Sequence, residues 1–165
     1  MNPIAAVRER RRRRREPRAA HARQLKALYE GTVEIGRVRD LHSLLETIRE
    51  VAPKGATLYL EGSQRAMSPK LIAFLRTHAV HESRDIPSGT ILPQPLRVHI
   101  DATEENLDEI LRLGDALAEP EVCDHLVVYR GDETLIIAYD VWDTQLHVSS
   151  SLPEEAIERF RALAR

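Results

Sequence analysis

Two segments of this chain alternate apolar and polar residues with a period of two, and that alternation limits the architectures open to it. Leu58 and Leu60 alternate with Thr57, Tyr59 and Glu61, while Leu96, Val98 and Ile100 alternate with Arg97, His99 and Asp101. Successive side chains of a strand point to opposite faces, so each segment reads as a strand with one apolar and one polar side. A strand covered on both faces, as in a doubly wound α/β fold, is instead a continuous apolar run. The helices therefore belong mainly on one side of the sheet.

The helices are marked by their own spacing. Leu41, Leu44, Leu45 and Ile48 stand at i, i+3, i+4 and i+7 and end against Pro53 and Gly55, the stripe and stop of an amphipathic helix. Ser68 and Pro69 suit an N-cap and first helical position before Leu71, Ile72, Phe74 and Leu75. Glu104 and Glu105 favour the first turn of a helix striped by Leu107, Ile110, Leu111, Gly114 and Leu117. A short helix carrying Leu25 and Leu28 precedes Gly31. Beyond Pro120, breaks at Gly131–Asp132 and near Asp143–Thr144 divide the chain into three strands, and Ser151 with Glu154 has capping-box spacing ahead of a terminal helix. The expected fold is α+β: a mixed sheet of about five strands with helices packed mainly on one face.

Charge divides the chain. The net charge of −2 conceals nine Arg and two Glu in residues 1–24, against fifteen Lys or Arg and twenty-four Asp or Glu in residues 25–165. A like-charge run interrupted by Pro17 opposes regular structure, so residues 1–24 are expected as an Arg-rich disordered tail and 25–165 as a single α+β domain. An acidic body repels phosphate backbones, and any nucleic-acid affinity would come from the tail through Arg10, Arg11, Arg12, Arg13, Arg14 and Arg15.

Other classes find little support. One cysteine makes neither an intrachain disulfide nor a Cys-rich zinc cluster. No apolar run reaches the ~18 residues of a membrane span, no P-loop or Rossmann glycine spacing occurs, and there is no G-x-S-x-G. Aromatics at 4% leave few stacking platforms for single-stranded nucleic acid. The profile is that of a small, bacterial-type cytoplasmic protein without a cofactor.

The candidate site follows from the alternation. If the apolar positions face the helices, Tyr59, Glu61, Arg97, His99, Asp101, His125 and Tyr129 share the exposed face of the sheet. A two-residue turn at Gly131–Asp132 would add Ile136, Ala138 and Asp140, with His147 and Ser149 beyond them. Residues 82–95, with three prolines and a glycine, form a long loop at its edge. The leading expectation is a non-enzymatic interaction protein of immunity, adaptor or regulatory type, binding another protein through this face and loop. The alternatives are a metal-dependent or acid–base enzyme centred on His99, Asp101 and His125, with Cys123 as a further candidate metal ligand, and a nucleic-acid-associated protein using the tail. As a nucleophile Cys123 is poorly placed, because His125 two residues along a strand is about 6–7 Å away.

Overall fold

The computed structural model describes residues 19–38, 40–81, 84–89, 95–141 and 145–164. The first helix, α1, covers 19–28. It is followed by β1 (Thr32–Arg37), α2 (Leu41–Val51), β2 (Thr57–Ser63), α3 (Pro69–Thr77), β3 (Pro95–Asp101) and α4 (Glu104–Gly114). After a 3₁₀ turn at Glu119–Glu121 come β4 (His125–Arg130), β5 (Glu133–Tyr139), β6 (Gln145–Ser149) and α5 (Glu154–Leu163). Arg10 to Arg15 lie outside the described residues. Residues 19–24, expected in the tail, are helical and belong to the body, where the Gln24 side chain donates to Asp85 at 3.0 Å.

The fold is α+β. Its sheet has six strands in the order β1-β6-β5-β4-β2-β3, against the expected count of about five. Every described pairing is antiparallel rather than mixed. The additional strand is β1, whose pattern is broken by Gly36 at φ 132° and by a register shift between Glu34 and Gly36. Such an irregularity hides a strand from a search for alternation.

Helix α2 begins at Asp40, whose carboxylate accepts from the His42 N–H, and buries Leu41, Leu44, Leu45 and Ile48. Thr103 caps α4 by accepting from the Asn106 N–H, and α4 buries Leu107, Ile110 and Leu111. These side chains pack with Leu58, Leu60, Val98, Ile100, Leu126 and Val128 of the sheet and with Ile157 and Phe160 of α5 in the main core. The expected capping box at α5 does not form: Pro153 is the N-cap, and the Ser151 hydroxyl donates to Glu133 instead.

On the other side of the sheet Leu28 of α1 joins Tyr59, Ile86, Val127, Tyr129, Ile137 and Tyr139 in a second cluster, with Leu25 and Tyr29 against it. The sheet is therefore covered on both faces, by α2–α5 on one and by α1 with the loop residues 84–89 on the other. No described helix is long and apolar enough to cross a membrane.

Candidate functional site

The antiparallel register sets the polar face out in rows. Glu61 of β2 stands opposite Arg97 of β3 on one side and His125 of β4 on the other, and His125 stands opposite Tyr139 of β5. In the next row Tyr59 lies between His99 and Val127. All four tyrosines of the chain, Tyr29, Tyr59, Tyr129 and Tyr139, belong to this side.

The polar groups of this face are tied together. The Tyr59 hydroxyl donates to Glu61 Oε2 and accepts from Arg97 Nε at 3.2 Å. Burial, then the hydrogen bond to Glu61, pushes Tyr59 far above the ordinary tyrosine range. Ser88 Oγ donates to Glu61 Oε1 at 2.6 Å, so the fully buried carboxylate has a hydroxyl on each oxygen, the arrangement a buried charge requires. His99 Nδ1 and the Tyr129 hydroxyl share a hydrogen bond at 2.9 Å. His125 Nδ1 accepts the Asp140 N–H at 2.7 Å, which puts its ring proton on Nε2.

Residues 84–89 lie across these rows. Arg84 donates to Thr134 Oγ1 at 2.8 Å, and Asp85 is paired with Arg97 at 3.6 Å. The Ile86 carbonyl accepts from Arg97, and the Pro87 carbonyl accepts from the Tyr139 hydroxyl. A Cβ at Gly89 would come within 2.6 Å of His125 Nε2 and 2.7 Å of the Tyr139 ring.

An open concavity among the described residues lies on the opposite side of the sheet. Between α2 and α4 runs a groove of about 540 Å³, with a floor of Leu41, Leu45, Ile110, Leu111, Leu117 and Val122. Its charged lining residues are Asp40 and Asp115, with His42 beside them. Asp40 is held below the usual carboxylate range chiefly by the Ser43 hydroxyl.

Compared with family models, curated proteins and solved structures, the chain matches none.

The sequence-predicted face residues do share one side, with two corrections. The face is covered rather than exposed: Tyr59, Glu61, His99, His125 and Tyr129 are all buried, and of the seven only Arg97 and Asp101 reach solvent. The physical reason is that α1 offers Leu25, Leu28 and Tyr29, and the loop offers Ile86, to the same side chains. The second correction concerns β5. A register shift between Val128 and Tyr129 pairs Val128 with Ile136 and Tyr129 with Thr134, which reverses the parity. Ile137 and Tyr139 therefore occupy the polar face, whereas Ile136 and Ala138 point into the main core.

The strands do not bring His99, Asp101 and His125 together. His99 and His125 lie on β3 and β4 with β2 between them and in different rows, about 12 Å apart by strand geometry, and Asp101 is exposed opposite Thr57. Among the described residues no three His, Cys, Asp or Glu side chains converge as a metal site. Cys123 is fully buried in the main core, and burial, then the nearby Asp124 charge, pushes its thiol well above the ordinary range. A thiol kept protonated this way is a packing residue rather than a nucleophile. Sequence reasoning missed Tyr139, Ser88 and the whole α2–α4 groove; for Tyr139 the parity reversal removed the signal.

Proposed function

We propose that the chain is a non-enzymatic binding protein that takes an apolar, basic segment of another protein into the groove between α2 and α4. The carrying observation is the groove itself, a concavity of about 540 Å³ lined by apolar side chains together with Asp40, His42 and Asp115. Its lining pairs no nucleophile with a base: Asp40 is engaged as the α2 cap, and His42 and Asp115 stand alone with it as titratable groups. A groove between two helices suits an amphipathic helix presenting its apolar side. Asp40 and Asp115, on a body rich in carboxylates, select a partner with basic flanks. This reading moves the contact surface from the covered sheet face to the helical side.

The test is fluorescence anisotropy with a labelled leucine–lysine amphipathic peptide, its leucine–glutamate counterpart serving as control. The basic peptide is expected to bind with an affinity that falls with salt, and Leu117→Glu to weaken it about tenfold. Leu117→Glu makes the body more acidic, so diffuse charge attraction would strengthen while groove binding weakens. Unchanged or tighter binding by the variant would overturn the proposal.

A further inference from the structure

The path of the chain between α3 and β3 is longer than the fold requires. After α3 the chain already lies along the edge of β3, where Ala79 bridges Ile100 and the Val80 N–H donates to the His99 carbonyl at 2.8 Å. From there the start of β3 at Pro95 is about 13 Å away along the strand, a gap that about four residues would span. The sequence uses residues 81–94. Within this stretch, residues 84–89 reach as far as β5.

The way those residues are held is that of a bound peptide. No described backbone–backbone hydrogen bond outside the regular elements involves residues 84–89. Their carbonyls are instead read by side chains of the sheet, Ile86 by Arg97 and Pro87 by Tyr139. Ile86 is fully buried among tyrosines, Ser88 donates a hydroxyl to the buried Glu61, and Gly89 fits where a Cβ would strike His125. An aliphatic anchor, a proline carbonyl met by a tyrosine hydroxyl, and aromatic walls are the chemistry by which extended proline-containing peptides are recognised.

We propose that the sheet face is a recognition groove for extended peptides with an aliphatic–Pro–hydroxyl–Gly pattern, and that residues 84–89 fill it in cis as an autoinhibitory strap. A partner chain carrying such a segment competes with the strap for Arg97, Tyr139 and Glu61. The site is on the opposite side of the sheet from the α2–α4 groove and stands independently of it.

The experiment uses the full chain with Ile86→Ala and Ser88→Ala, titrated by NMR with the synthetic peptide Asp-Ile-Pro-Ser-Gly. The weakened strap is expected to bind the peptide at least about tenfold more tightly than the unaltered protein, as removal of a competing cis occupant requires. Adding Tyr139→Phe should reverse that gain. A folded variant that binds the peptide no better than the unaltered chain would overturn the proposal. Should the variant not fold, trypsin cleavage after Arg84 in the unaltered protein decides. Cleavage at a rate nearly independent of urea reports strap release without unfolding and supports the proposal, whereas cleavage that tracks global unfolding overturns it.

Discussion

Glu61 and Arg97 stand opposite each other across the β2–β3 ladder, and the hydroxyl of Tyr59 binds both, donating to the carboxylate and accepting from the guanidinium. One phenolic oxygen thus serves a buried anion and the cation that fastens the strap.

Tyr59→Phe deletes that oxygen at nearly constant volume. Glu61 keeps Ser88 but loses a donor in a site without water access, so a loss of about 1–3 kcal/mol is expected. Urea unfolding checks it: the midpoint should fall while the slope stays constant. An unchanged midpoint would mean that the hydroxyl contributes nothing to the buried carboxylate.

Two glycines without unusual backbone angles make a matched pair. At Gly89 an added Cβ meets the His125 ring at 2.6 Å and the Tyr139 ring at 2.7 Å, both held in place by hydrogen bonds. At Gly62 the closest atom, at 2.8 Å, is the sulfur of Met67, which can swing away. Gly89→Ala is therefore expected to lower stability by about 1–3 kcal/mol and Gly62→Ala by less than about 1 kcal/mol. Thermal melts of the two variants compare them directly, and equal losses would contradict the packing described.

His147 gives a pH dependence of known sign. Its ring is half-buried edge-on to Tyr29 at 4.7 Å, and burial lowers its pKa below 6.5, with Glu34 opposing the shift. A base with a lowered folded pKa binds fewer protons folded than unfolded, so stability is complete above 6.5 and declines as pH falls toward the folded value. The stability of the native protein relative to His147→Gln should therefore decrease between about pH 7.5 and about pH 5.5. Denaturant midpoints at the two pH values measure this, and a difference that grows on acidification would reverse the assignment.

Much of this arrangement is written locally. The α2 spacing names all four residues that α2 buries, and the alternation in β2 and β3 assigns each side chain to its correct face. Two properties are not local. A single register shift at Tyr129 reverses every later residue of β5, and composition alone does not place it. Polar residues on one side of a strand also read as a wetted surface, because their partners are distant in sequence: Ser88 is 27 residues from Glu61, and Arg97 is 38 from Tyr59. Burial of this face depends on those distant partners.

The outermost strand has a consequence for the order of assembly. β1 pairs only with β6 among the described strands, and the neighbouring Ser150–Gly31 contact closes 119 residues of sequence. During synthesis β1 emerges before every other described strand but has no partner until β6 has followed. Closing so large a loop is entropically costly, which places this strand late in folding. Val33→Ala, beside that junction, should accordingly speed unfolding and leave the folding rate nearly unaltered. The earliest of the described strands in chain order is the last able to join the sheet.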